Sequence, residues 1–75
     1  MDVIDSKLVN SFAKNLRARR TKAAISQEEL ALKSGLDRTY ISGCERGVRN
    51  PSLISVEKIA DALSISASSL LEIEP

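Results

Sequence analysis

The stretch that decides the fold is residues 26–47, SQEELALKSGLDRTYISGCERG. It predicts two short helices joined by a tight turn. Ser26 can accept a hydrogen bond from the backbone of the first helix, and Glu29, three residues later, completes the pattern of a capping box. Gly35 suits the left-handed conformation that ends a helix. Asp37 then stands where the cap of the second helix is expected.

The second predicted helix, residues 38–46, has two different faces. Ile41 and Cys44 lie three residues apart, so a helix brings them to one side as a small apolar back. The opposite side is polar and basic, with Arg38, Thr39, Ser42 and Arg46. A helix–turn–helix unit places its second helix in the major groove of DNA with such a front.

These residues resemble the Cro/CI-type (lambda repressor-like) helix–turn–helix family of phage and bacterial regulators. The segments that carry the resemblance are QEELA (27–31), SGL (34–36), TYIS (39–42), ERG (45–47), NPSL (50–53) and IADAL (59–63). Within the family, LDRTYISG (36–43) is most similar to the small controller proteins of restriction–modification systems. The resemblance covers residues 8–72 or so and implies an all-α, five-helix domain, with helices at about 5–22, 27–34, 38–46, 53–63 and 67–72.

Composition excludes several classes of function. The 75 residues are enough for a single domain, 1–75, and they contain no histidine, which removes the commonest general base and metal ligand. The lone cysteine rules out an internal disulfide. No apolar run approaches the about 20 residues of a membrane span, and the first residues do not form a signal peptide. We expect a cytoplasmic, bacterial or phage-encoded protein without catalytic residues, metal, cofactor, small-molecule ligand or membrane contact.

The charge is distributed unevenly along the chain. The net charge is only +1, from 11 Lys and Arg against 10 Asp and Glu. Residues 1–50 hold ten of the basic residues and six of the acidic ones, for a charge of +4, whereas residues 51–75 carry −3. A basic first half and an acidic second half suit a protein with one face on phosphates and another facing elsewhere.

The first helix combines an apolar row with a run of basic residues. Its apolar positions repeat at three and four and are Leu8, Val9, Phe12, Ala13 and Leu16. Between residues 14 and 22 there are five basic residues and no acid, which fits either a solvated face or contact with phosphate. The family usually has glycine where this chain has Ala24, so the end of the helix is expected to differ locally.

The resemblance also assigns contacts with double-stranded DNA. The residues expected to read base edges in the major groove are Arg38, Thr39 and Ser42. Those expected on backbone phosphates are Arg17, Gln27, Tyr40, Arg46, Arg49 and Asn50. In the family the glutamine at the position of Gln27 also braces the recognition helix. Arg38, at the helix start, has the two donors that match guanine O6 and N7.

The last two helices predict a dimer face. Val56, Ile59, Ala60 and Leu63 form a core stripe, and Ile54 lies off that stripe. An apolar residue outside the core of so small a domain indicates a partner. The predicted homodimer face is Ile54, Leu70, Leu71 and Ile73. The alternative is that Leu70 closes the core of the monomer and that Ile73 frays at the chain end.

Three classes of function compete at this point. The first is a dimeric, sequence-specific DNA-binding regulator on a near-palindromic operator. It would be a restriction–modification controller acting on its own and the endonuclease genes, or else a phage-type repressor or Cro-like switch. The second is an antitoxin that binds a protein toxin, although antitoxins usually carry an extra wrapping segment. The third, an enzyme, lacks any supporting pattern of residues.

Overall fold

The computed structural model describes residues 3–73, which form five helices and no strand. They are α1 (Lys7–Lys22), α2 (Gln27–Ser34), α3 (Arg38–Glu45), α4 (Leu53–Ala62) and α5 (Ala67–Leu70). The all-α, five-helix prediction is confirmed. The differences lie at the ends: α1 begins two residues later than expected, α3 and α4 each end one residue earlier, and α5 ends two residues earlier.

Serine side chains start four of the five helices. In each case the hydroxyl accepts a hydrogen bond from the backbone N–H three residues later, which satisfies one of the free donors of the first turn. The four caps are Ser6, Ser26, Ser52 and Ser66. At Ser26 the Glu29 carboxylate also accepts from the backbone N–H of the cap, so the predicted capping box is complete.

The cap of α3 differs from the prediction. Asp37 occupies the N-cap position with an extended backbone, but its carboxylate makes no capping hydrogen bond. The side chain is exposed to solvent. The first backbone N–H groups of α3 therefore lack the side-chain acceptor that the sequence predicted for them.

The core is aliphatic around one aromatic ring, as the composition suggests. The largest side chains with at most 1% exposure come from all five helices and are Phe12, Leu16, Leu30, Ile41, Ile59 and Leu70. α3 packs between α1 and α2, and α5 packs against α1 and α4. The front of the helix–turn–helix unit is thus supported from behind by the rest of the domain.

Two predicted core assignments were wrong. The apolar row predicted for α1 includes Leu8, but Leu8 is 46% exposed because it lies in the first turn, along an apolar groove at the edge of the core. Leu70 was placed on the dimer face but is 0% exposed. It closes the core of the monomer, which was the alternative interpretation.

The turn after α1 keeps a conformation that glycine adopts without strain. Ala24 has a φ of 58°, in the left-handed region, although a Cβ makes that region costly. The expected local difference from the family at this position stays a prediction. Ala24 is held in a strained backbone conformation at this position. Gly35, at the end of α2, has a φ of 73° and fits its predicted role.

Asn15 fastens the end of the described chain to α1. Its side-chain Nδ2 donates to the carbonyl oxygens of Leu70 and Glu72, at 3.0 and 2.8 Å. These bonds hold the segment that follows α5 against the first helix. Among residues 3–73, no helix is long and apolar enough to span a membrane.

Candidate nucleic-acid interface

α3 presents its polar side outward, as the sequence predicts. Ile41 and Cys44 are 0% exposed and seat the helix on the core. Arg38 and Thr39 are exposed at its first turn, and Ser42 is half-buried one turn later. The three residues predicted to read bases therefore occupy the side of α3 that the core does not use.

The side of α3 that carries Ile41 and Cys44 is shielded from solvent. Burial raises the pKa of the Cys44 thiol from its usual 9.0 to about 11, more than the nearby positive charge of Arg49 lowers it. Such a thiol stays protonated at neutral pH and packs as a small apolar group. Cys44 is structural, as predicted.

A buried ion pair anchors the end of α3, and the sequence analysis missed it. Arg20 Nε and Nη2 donate to the two carboxylate oxygens of Glu45, at 2.6 and 3.0 Å. Only 13% of the Arg20 side chain and 4% of the Glu45 side chain are exposed. The hydrogen bond from Arg20 to Glu45 raises the pKa of Arg20. Arg20 also donates to the carbonyl of Ile25, at 2.9 Å, so one guanidinium joins three segments.

Gln27 belongs to the same network. Its amide nitrogen donates to Glu45 Oε1 at 3.2 Å, which links the first residue of α2 to the last residue of α3. The amide nitrogen has two hydrogens, so one is left for another acceptor. The structure thus shows that Gln27 braces α3. Its contact with phosphate remains a prediction.

Signals for this network were present in the sequence. Arg20 belongs to the basic run of α1, for which the sequence allows a solvated face or contact with phosphate, and Glu45 is the only acid in residues 38–50. In the structure the Glu45 side chain is 4% exposed, and a buried charge without a partner is costly. α1 supplies that partner because it packs against α3.

Tyr40 and Arg49 lie together. The Arg49 guanidinium carbon is 5.8 Å from the centre of the Tyr40 ring, within the range of a cation–π contact. Gly43 makes this placement possible: a Cβ there would come within 2.6 Å of Arg49 Cγ. The absence of a side chain at Gly43 lets Arg49 lie against α3.

The other candidate phosphate contacts are open to solvent. Arg17, Arg46, Arg49 and Asn50 are exposed, whereas Gln27 and Tyr40 are half-buried. Arg46, the residue that ends α3, donates from Nη1 to the Ser42 hydroxyl at 2.7 Å. Two residues assigned different roles are therefore in direct contact.

Three of the four residues predicted for a dimer face are accessible to solvent, and the face itself stays a prediction. Ile54 is 65% and Ile73 52% exposed, and Leu71 is half-buried. Leu70 is not available. Sequence reasoning missed Leu53, which is 80% exposed at the edge of an apolar groove. That groove is lined by Leu8, Val9, Phe12, Asn50, Pro51, Leu53, Val56 and Leu71.

Comparison with known proteins identifies the family. The helix–turn–helix family model matches residues 16–70. The control protein C.BamHI of Bacillus amyloliquefaciens is 50% identical over 54 residues, which are 72% of this chain and 67% of that protein. This chain belongs to the helix–turn–helix family, and it is a DNA-binding transcription regulator rather than an enzyme.

Solved structures extend the similarity to restriction–modification controllers. The controller C.AhdI of Aeromonas hydrophila has a TM-score of 0.81 and 48% identity, covering 83% of this chain and 94% of that one. C.Esp1396I, bound to a 19-base-pair DNA duplex, has a TM-score of 0.80 and 40% identity, covering 87% of each chain. Structures of its variants carry replacements of an arginine, a threonine and a tyrosine at three consecutive positions.

Proposed function

We propose that this chain is the controller of a restriction–modification system and regulates its own gene and that of the endonuclease. The observation that carries the proposal is the outward face of α3, with Arg38, Thr39 and Ser42, on a helix anchored by Glu45. The similarity to several controllers gives this face its context. We infer that the chain forms a single domain and acts in the cytoplasm, where the DNA it would bind is located.

Base reading is assigned to the first turns of α3. The N-terminal residues of a recognition helix contact base edges. Arg38 is the first residue of α3 and is exposed, so its guanidinium is free to bind guanine O6 and N7. This chain has an arginine, a threonine and a tyrosine in succession, at positions 38–40. The residues replaced in the solved variants of C.Esp1396I are also an arginine, a threonine and a tyrosine in succession, which supports this assignment.

Phosphate contacts are assigned to groups around α3. Arg17, Arg46 and Arg49 are exposed cations, and Asn50 adds a neutral donor. Gln27 lies at the start of α2, where free N–H groups favour an anion, and Tyr40 offers a hydroxyl beside Arg49. These groups set the register of α3 in the groove and carry no sequence information themselves.

Dimerisation is proposed through the outer side of α4 and the segment after α5. The exposed apolar residues there are Leu53, Ile54 and Ile73, with Leu71 at the groove. Leu70 is left out of the dimer face predicted from the sequence because its side chain is buried. A two-fold axis at this face would set two copies of α3 on half-sites about 34 Å apart, one turn of DNA.

Footprinting on the DNA upstream of the chain's own gene tests the proposal. Two protected half-sites related by two-fold symmetry are expected, in a gene neighbourhood that encodes a methyltransferase and an endonuclease. A phage lysogeny region around the gene would favour a phage-type repressor instead. Tight binding to a neighbouring toxin without protection of any DNA would overturn the proposal in favour of an antitoxin.

A further inference from the structure

Ser42 and Arg46 form a pair on the outward side of α3. Arg46 follows the helix as its C-cap with a helical backbone, so its side chain lies one turn beyond Ser42. Arg46 Nη1 donates to Ser42 Oγ at 2.7 Å. The first residue is assigned above to a base edge and the second to a phosphate.

The direction of this hydrogen bond is fixed by chemistry. A guanidinium has five N–H donors and no acceptor, whereas a hydroxyl has one donor and two acceptor lone pairs. Ser42 must therefore accept from Arg46. Within residues 3–73 it makes no other side-chain hydrogen bond. Thr21, by contrast, donates its hydroxyl back to the carbonyls of Arg17 and Ala18 on α1.

Two consequences follow for the Ser42 hydroxyl. One of its lone pairs is occupied, and its proton is free to point away from the helix. An unconstrained serine can rotate to donate or to accept, and so discriminates poorly between base edges. A serine that accepts from an arginine keeps its O–H donor and only one of its two lone pairs, so donation is favoured over acceptance.

We propose that Arg46 is a positioning residue that fixes Ser42 as a hydrogen-bond donor toward DNA, so that Ser42 reads an acceptor in the major groove. This inference rests on the proposed function. The acceptors available are guanine N7 and O6, thymine O4 and adenine N7, whereas cytosine offers only its amino group there. Arg46 uses one of its five N–H groups on Ser42, and the rest remain for a phosphate.

The two residues are then coupled in reading sequence. Removing Arg46 costs a phosphate contact on every duplex and, in addition, releases Ser42 to rotate. A residue that only meets phosphate would lower affinity equally for all sequences. The difference between these two patterns decides whether Arg46 positions Ser42.

The experiment begins with selection of the preferred site from random duplexes by the wild-type protein. The dissociation constant is then measured for the wild type, Ser42→Ala, Arg46→Ala and the double variant. The duplexes are the selected site and versions with each half-site base pair replaced in turn. Arg17→Ala is the matched control, since it removes one exposed cation from α1 and Arg17 makes no hydrogen bond to Ser42.

Ser42→Ala is expected to reduce discrimination at one base pair by about 2- to 10-fold, the size of one neutral hydrogen bond. Arg46→Ala should reduce discrimination at the same pair, besides a uniform loss of affinity. At that base pair, the double variant should show no further loss of discrimination beyond that of Ser42→Ala alone. Arg17→Ala should show the uniform loss only.

Three results would overturn the inference. In the first, Arg46→Ala behaves as Arg17→Ala does and leaves discrimination unchanged at every pair. In the second, Ser42→Ala changes no preference. In the third, the preference disappears when the amino group of adenine or cytosine is deleted from that pair, which would show Ser42 accepting. If these results appear while the wild type still prefers one sequence, the proposed function stands. If the wild type selects no sequence, both fail.

Discussion

At the scale of single residues, α3 is held by its buried side, and its exposed side is the one proposed to contact DNA. Cys44 shows this division most clearly. It is 0% exposed, and burial raises its pKa to about 11. The thiol contributes packing volume and a protonated sulfur, and nothing to a DNA contact.

Cys44 predicts how stability depends on pH. The folded pKa of about 11 lies above the usual 9.0, so the folded state holds the proton more tightly than the unfolded state. The contribution of the protonated thiol to the free energy of unfolding is complete below pH 9. It is lost as the pH rises toward 11, at up to about 1.4 kcal/mol per pH unit. Urea unfolding of the wild type between pH 8 and 11 should show this fall.

Cys44→Ala is the control for that series. Its free energy of unfolding should be lower at neutral pH because of the cavity, and it should lack the cysteine contribution to the slope. Equal slopes for the two proteins between pH 9 and 11 would show that the thiol is accessible. So would native-state labelling as fast as labelling in denaturant.

Replacing Ala24 by glycine is expected to stabilise the protein. Its φ of 58° costs roughly 1–2 kcal/mol for a residue with a Cβ. Ala24→Gly should therefore raise the free energy of unfolding by about 0.5–1 kcal/mol after the larger entropy of glycine in the unfolded chain. Thermal unfolding measures it. The matched control is Ala23→Gly, at a helical φ of −77°, which should destabilise. A destabilised Ala24→Gly would contradict this account of the turn.

At the scale of elements, the ends of α1, α2 and α3 meet at Glu45. Arg20 reaches it from α1 and Gln27 from α2. Local patterns predicted the capping box and the two sides of α3, and the family resemblance implied the five helices. The sequence did not reveal the Arg20–Glu45 pair, because the two residues are 25 positions apart and meet only after packing. Leu70 and Leu8 were misplaced for the same reason.

Breaking the Arg20–Glu45 pair should be costly. Arg20→Ala leaves a carboxylate with 4% exposure without its cation, and about 3–5 kcal/mol of unfolding free energy should be lost. The double variant Arg20→Met with Glu45→Leu should recover much of that loss, since no charge is then left buried. Arg17→Ala, an exposed arginine on the same helix, should change stability by less than about 0.5 kcal/mol. Chemical denaturation compares the four proteins. A loss for Arg20→Ala no larger than for Arg17→Ala would refute a buried pair.

At the scale of the whole molecule, the proposed binding to two half-sites requires two copies of the domain. The domain is small, with a radius of gyration of 11.0 Å, and one copy of α3 reaches only one half-site. The exposed apolar residues of α4 and the C-terminal segment are the candidates for the contact between copies. Asn15, through its bonds to Leu70 and Glu72, holds that segment in place.

Ile54→Asp with Ile73→Asp should convert dimers to monomers and weaken DNA binding. The reason is that both side chains are more than half exposed, so charge there disturbs the face between copies and spares the core. Sedimentation at tens of micromolar gives the mass. The control is Leu32→Asp on α2, where the leucine is 80% exposed but lies outside the proposed face. A monomeric wild type, or a double variant that remains dimeric, would count against this face.

In the proposed function, α3 reads the DNA sequence chiefly through Arg38. The measurement is a titration of the wild type and Arg38→Ala, each on the selected duplex and on a scrambled duplex at several salt concentrations. The account predicts that Arg38→Ala loses about 1–3 kcal/mol on the selected duplex, loses preference at one guanine in each half-site, and changes little on the scrambled one. Equal loss on both duplexes would contradict it, because Arg38 would then be a phosphate contact and the reading would fall to Thr39 and Ser42.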